Sequence, residues 1–152
     1  MAGNDVYVSG NVDIPGGDDQ HLAYYWKNGL RKALLDPAFS DYYIDLYAES
    51  IAVAGNDVYI GGTVVDRINN DQKSAIYWKN GEFAGLVDSG ISVSSSCYLT
   101  STGNYIYQTT MGRNAYDSSS FPLYGRLGTK PAQILGRLSE LPQVFGIAVV
   151  QK

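Results

Sequence analysis

The chain has one cysteine and one histidine among 152 residues, and only 17% of its residues are charged. A single cysteine, Cys97, excludes an internal disulfide framework and a thiolate metal cage. It sits in Ser94-Ser95-Ser96-Cys97-Tyr98, entering an expected strand, where a small buried thiol is expected rather than a nucleophile. The lone His21 cannot build a His-rich metal site, and no nucleophile–base spacing marks it as the base of a triad. No metal and no cofactor are therefore expected. No run approaches the ~20 apolar residues that span a bilayer; the longest, residues 144–150, is strand-sized. Met1-Ala2-Gly3-Asn4-Asp5 shows neither the basic nor the apolar segment of a signal peptide. A cytoplasmic location is the default expectation, or export if these residues were cut from a longer exported chain. A net charge of −4 offers no concentrated basic surface, so neither nucleic acid nor a membrane is an expected partner.

What the chain does have is glycine, tyrosine and repetition. Hydrophobic residues make up 45% of it, with 17 glycines and 13 tyrosines, which suits a turn-rich all-β protein with a packed core. Residues 2–36 and 54–88 are one sequence written twice, 52 positions apart without a gap, and 18 of the 35 aligned pairs are identical. Ala2-Gly3-Asn4-Asp5-Val6-Tyr7 returns as Ala54-Gly55-Asn56-Asp57-Val58-Tyr59, and Tyr25-Trp26-Lys27-Asn28-Gly29 as Tyr77-Trp78-Lys79-Asn80-Gly81. A period near fifty made of short apolar runs and tight-turn signals is that of β-propeller blades.

Each repeat reads as four strands, placed in the second copy at residues 49–54, 58–64, 74–78 and 82–87, with a polar loop over 66–73. Gly55-Asn56 and Asn80-Gly81 supply the positive φ that two-residue hairpins demand. The third strand is apolar on both faces, Ala75 and Tyr77 on one side and Ile76 and Trp78 on the other, which calls for layers above and below it. Trp26 and Trp78 are read as equivalent core residues. A third, diverged repeat follows. Thr102-Gly103-Asn104-Tyr105-Ile106-Tyr107 aligns with residues 54–59. Leu123-Tyr124-Gly125-Arg126-Leu127-Gly128 takes the place of the tryptophan strand, and residues 132–135 are the fourth strand.

Residues 145–150 match a first strand, and the first repeat lacks one of its own. The expected organisation is a single repeat domain over 1–152: blade one at 2–47 completed by 145–150, blade two at 48–96, blade three at 97–144. Closed propellers typically hold four to eight blades. Three per chain therefore point to half of a six-bladed ring, closed by strand exchange in a homodimer. Charge agrees. Residues 1–104 hold six Lys/Arg and thirteen Asp/Glu, giving −7, whereas residues 105–152 hold five and two, giving +3, so the third blade of one chain would meet an acidic first blade. A fragment of a longer propeller is the competing reading.

Val58-Tyr59-Ile60-Gly61-Gly62 resembles the paired-glycine strand of kelch repeats. The wider Gly-Asn-Asp-Val-Tyr and Tyr-Trp-Lys-Asn-Gly pattern is similar to repeats of uncharacterised bacterial propeller-like proteins. The resemblance implies a fold and, for kelch-like proteins, mostly interaction scaffolds. A few are oxidases, but one histidine cannot supply the copper ligands that chemistry needs.

The loop between strands two and three and the blade-to-blade linker share one face, which collects residues 13–21, 36–47 and 66–73. Asp19-Gln20 recurs as Asp71-Gln72 inside loops that otherwise differ, and the linker adds Tyr42, Tyr43 and Tyr47. Asp19, Gln20, Tyr42, Tyr43, Asp71 and Gln72 are the candidate ligand-binding residues: carboxylate and amide groups can hydrogen-bond sugar hydroxyls while a tyrosine ring packs on the sugar. The competing reading is that each Asp caps its own loop backbone. Asp13, Asp18 and Asp19 lack the spacing of a twelve-residue calcium loop and read as solvated carboxylates. The functional expectation is a non-catalytic binding or scaffold module for a glycan or a protein. The alternative is a propeller hydrolase or lyase using loop carboxylates such as Asp19 and Asp71.

Overall fold

The computed structural model describes residues 4–13, 21–34, 44–67, 71–87, 94–113, 120–127 and 133–134. Among them are eleven strands and no helix. The first sheet holds β1 (Tyr7–Asp13), β2 (His21–Lys27) and β3 (Leu30–Ala33). The middle sheet holds β4 (Ile44–Ala54), β5 (Asp57–Asp66), β6 (Gln72–Lys79) and β7 (Glu82–Leu86). The third holds β8 (Ser94–Thr102), β9 (Tyr105–Arg113), β10 (Ser120–Arg126) and β11 (Gln133–Ile134). Every sheet is antiparallel, with its strands side by side in chain order.

Turn chemistry fixes the hairpins. Asn28 and Gly29 take φ of 50° and 82°, and Asn80 and Gly81 take 54° and 85°. Two positive φ values in succession fit a type I′ turn, whose twist matches that of the flanking strands. Around these turns the repeated residues form a clasp. The Asn28 main-chain N–H donates to Val6 O at 2.9 Å, and Asn28 Oδ1 accepts the Val6 N–H at 2.8 Å. Asn28 Nδ2 and Lys27 Nζ both reach Asp5, at 2.7 and 2.8 Å. In the second repeat Asn80 binds Val58 and Asp57 in the same way, and Lys79 lies 2.8 Å from Asp57. Lys27 and Lys79 also sit 5.3 and 5.5 Å from the ring centres of Tyr7 and Tyr59. The most strongly repeated residues thus tie one strand end to the adjoining turn. In the third repeat Tyr105 replaces the aspartate, and the Arg126 guanidinium lies 4.9 Å from its ring.

Two cores follow from sheets that are apolar on both faces. Ala23, Tyr25 and Leu34 of the first repeat pack against Ala48, Val58, Ile60, Ile76 and Trp78 of the middle sheet. On its other side the middle sheet packs Ala52, Ala75 and Val87 against Cys97, Leu99 and Ile106. The docking repeats: β1 and β2 lie against β4 as β5 and β6 lie against β8. The paired glycines permit the closeness. A Cβ on Gly61 would meet the Cys97 carbonyl, and one on Gly62 would strike the Tyr47 carbonyl and the Trp78 ring.

Two expectations need correction. Trp26 and Trp78 are equivalent in position but not in burial: Trp78 is fully enclosed, whereas Trp26 is only half-buried because no described sheet covers the outer face of the first sheet. Nor do the repeats match position for position to their ends. A bulge at Ala84 offsets β7, so that Val87 donates to Ala75 O where Leu34 donates to Ala23 O. Leu86, the sequence partner of fully buried Leu34, is consequently 58% exposed. Gly85, at φ 146°, makes the bulge possible, since few side chains tolerate that backbone conformation.

Trp78→Ala is expected to cost about 3 to 5 kcal/mol in urea unfolding, the usual range for an enclosed aromatic; an unchanged midpoint would contradict the two-sided core. Lys79, and after it Asn80, holds the Asp57 carboxyl below its ordinary 3.8 by hydrogen bonding. The clasp's contribution should therefore be present above that ordinary value and fade as pH falls through the lowered one. In an NMR titration, Lys79→Met should raise the Asp57 midpoint.

Candidate functional site

β4 and β8 are edge strands of their sheets, so half of their backbone groups face away from the ladder. Side chains of the preceding sheet satisfy them. Asn11 Oδ1 accepts the Ala48 N–H at 2.7 Å, and its counterpart 52 residues on, Thr63, accepts the Ser96 N–H at 3.0 Å. A bulge in β4 between Ala48 and Ser50 turns both Glu49 and Ser50 toward β8. Glu49 accepts from the Cys97 N–H at 2.9 Å and from the Thr63 hydroxyl at 3.0 Å. The Ser50 hydroxyl donates to Cys97 O at 2.8 Å and accepts the Leu99 N–H at 3.0 Å. β8 carries a bulge of its own at Ser96, whose φ is 68°.

Beside these bulges, at the β5–β6 end of the middle sheet, a cavity of about 760 Å³ opens. Alternation along β4 points Asp45, Tyr47 and Glu49 into it, Thr63 and Val65 of β5 form its floor, and Ser96 closes one side. Arg67, Asp71 and Lys73, from the β5–β6 connection and the start of β6, form the rest of the lining. Asp45 is buried yet fully engaged: Arg67 Nε lies 2.7 Å from one carboxylate oxygen, and the other accepts the His21 N–H at 3.0 Å. The His21 ring meets Tyr47 edge-on, with centroids 5.0 Å apart, and its Nδ1 lies 2.9 Å from Asp13. Burial, and then the Asp45 charge, push the Tyr47 phenol above its ordinary value. Burial and the Glu49 charge likewise push the Cys97 thiol up, leaving it unsuited to nucleophilic work.

The chemistry of this site is that of a polar cradle. Asp45 and Glu49 each have both oxygens committed to internal partners, while Asp71 and Lys73 are exposed. Among the described residues no group of three or more His, Cys, Asp or Glu could hold a metal ion.

Of the residues singled out from sequence, Asp71 lines the cavity, at φ 56°. Gln72 opens β6 opposite Asp66, exposed and outside the lining. Asp19, Gln20, Tyr42 and Tyr43 lie outside the described residues. Tyr47, expected on this face, does line the cavity. Asp45, Glu49, Thr63, Arg67 and Lys73 were not singled out, although the alternation Asp45-Leu46-Tyr47-Ala48-Glu49 was a visible sign of one polar face on that strand.

Ser50→Ala would strand the Cys97 carbonyl and the Leu99 N–H in the sheet junction. A loss of about 1 to 3 kcal/mol is expected in chemical denaturation, and Ser50→Thr, which keeps the hydroxyl, should recover part of it. No family model, curated protein or solved structure matches the chain.

Proposed function

We propose that the chain is a non-catalytic binding module of β-propeller type, that two copies close one six-bladed ring, and that a glycan or protein ligand binds at the cavity mouth formed by Tyr47, Asp71 and Lys73. One observation carries the assembly: the same positions are buried in the middle sheet and bare in the first. Val58 and Ile60 are 6% and 0% exposed, whereas their counterparts Val6 and Val8 are 62% and 51% exposed. A face that the repeat buries once is built to be buried again, and the third sheet of a second copy is its proposed cover. Among the described residues the first sheet also has three strands where the middle and third have four. Residues 145–150, which lie outside the described residues, are the proposed fourth. The kelch-like sequence pattern supports the same reading.

Binding is favoured over hydrolysis by the state of the buried carboxylates. Glycoside cleavage needs one acid to give a proton and a second to attack or activate water. Asp45 and Glu49 already spend both oxygens on structural partners. The Tyr47 ring and the exposed Asp71 and Lys73 at the mouth suit a polyhydroxylated or polar surface instead.

Sedimentation of the full chain should give the mass of two copies, and deletion of 145–152 should weaken that assembly; a full-length monomer would overturn ring closure. A glycan array read beside Asp71→Ala and Lys73→Ala tests the site. Retained binding in both variants would place the ligand elsewhere.

A further inference from the structure

One arrangement of side chains occurs in all three sheets. Tyr7 stands opposite Lys27 and Tyr25 opposite Ser9 in the first. Tyr59 stands opposite Lys79 and Tyr77 opposite Gly61 in the middle, and Tyr107 opposite Arg126 and Tyr124 opposite Thr109 in the third. In the first two sheets the face that carries these tyrosines meets the next sheet. Tyr7 and Tyr25 join the core that holds Val58, Ile60 and Trp78. Tyr59 and Tyr77 pack against the core that holds Leu99 and Ile106, and line a smaller cleft of about 370 Å³ at the hairpin end of that junction. In the third sheet Ile106 faces back to the middle sheet, so Tyr107 and Thr109 alternate to the opposite face. No described sheet covers that face. The third sheet thus repeats the docking face of the other two.

On this face the hydroxyl that seats an edge strand has crossed the ladder. In the middle sheet Ser50 lies opposite Gly61 and holds the β8 backbone by one donated and one accepted hydrogen bond. Its Oγ lies 2.7 Å from where a Cβ on Gly61 would stand, within the space that a side chain there would fill. In the third sheet Tyr98 takes the Ser50 position and Thr109 the Gly61 position, so a hydroxyl rises at the equivalent place from the other strand. A side chain there is compatible with docking, because Ser9 holds the same register in the first sheet and β1 packs against β4. Thr109 is 3% exposed, yet its Oγ1 has no hydrogen-bond partner. An enclosed hydroxyl without a partner is costly, and an edge strand brings the free C=O and N–H groups that would satisfy it.

We propose that Thr109 seats the junction that closes the ring: its hydroxyl bonds the edge-strand backbone of the first sheet in a second copy, while Tyr107 and Tyr124 cover that sheet's Val6, Val8 and Trp26. The proposal rests on the ring reading given above. Val8 lies opposite Trp26 as Ile60 lies opposite Trp78, and Val6 O accepts from Asn28 as Val58 O does from Asn80. These are the positions that the tyrosine face meets at the first junction, and here Val6 and Val8 are exposed and Trp26 half-buried. Charge agrees, since residues 105–152 sum to +3 and residues 1–104 to −7. The contact is head to tail, third sheet on first, and two copies make it twice.

Sedimentation equilibrium of the full chain over a dilution series reads the association. Thr109→Val keeps the shape and removes the hydroxyl. It should weaken the dimer about tenfold without lowering the unfolding midpoint of the dilute monomer, and Thr109→Ser should associate as the parent does. Tyr107→Lys and Val8→Lys damage opposite faces, and each alone should be a folded monomer. Mixed in equal amounts they should associate again, because the intact third sheet of the Val8→Lys chain meets the intact first sheet of the Tyr107→Lys chain. If either lysine variant does not fold, Thr109→Val beside Thr109→Ser decides. A monomeric parent overturns the ring and this proposal with it. With a dimeric parent, a Thr109→Val that associates as tightly, lysine variants that stay dimeric, or folded lysine variants that do not rescue each other would each overturn this proposal while the dimer stands.

Discussion

A four-stranded sheet that is apolar on both faces cannot be stable alone, and this condition governs the molecule. The middle sheet presents Ile60 and Trp78 to one neighbour and Ala52, Ala75 and Val87 to the other, and all of them are buried. Burial of that kind is worth roughly 1.5 to 3 kcal/mol for each large side chain, so sheets must stack. The first sheet carries the same two-faced pattern, with only one face covered among the described residues. On the other face Trp26 is half-buried and Val6 and Val8 are exposed.

Close stacking brings edge strands against the side chains of the preceding sheet, and their backbone groups must be satisfied there. Asn11 and Thr63 answer this at equivalent positions, and the bulge at Glu49 and Ser50 adds three more bonds to β8. The larger cavity opens beside these bulges, and its acidic wall belongs to the scaffold. Carboxylates that look catalytic in a list of lining residues are, in their hydrogen bonds, part of the joint between sheets.

Divergence between repeats is where this fold can acquire chemistry. Where Lys32 pairs with Tyr25 and reaches across the first junction, the β7 bulge sets Gly85 opposite Tyr77. Where Asp57 pairs with Lys79, the third repeat sets Tyr105 under the Arg126 guanidinium. In β9 and β10, Gln108 and Gly125 stand opposite each other where Ile60 and Trp78 pair in the middle sheet. The exchanges in β9 and β10 keep the backbone register, whereas β7 shifts by one residue at its bulge.

Local chemistry was legible in the sequence. Asn-Gly and Gly-Asn turns, two-faced strands and the fifty-two-residue period depend on φ preferences and alternation, which neighbouring residues specify among themselves. The strands β5, β6 and β7 lie where those signals put them, and Cys97 is buried as its setting implied. The role of the repeated Asp-Val-Tyr and Lys-Asn residues as a clasp was not legible, because it joins groups some twenty residues apart. Nor was the offset at Ala84, where packing against the third sheet selects Val87 over Leu86 despite an ungapped alignment. The larger cavity joins β4, β5, β6 and β8, and nothing in the spacing of Asp45, Arg67 and Ser96 announces that they share a wall. The sequence by itself determined the strands, the turns and the need for stacking. Tertiary structure alone decided which polar groups would be consumed in holding the sheets together and which would stay open to solvent, because that choice depends on distances between sheets that no local pattern encodes.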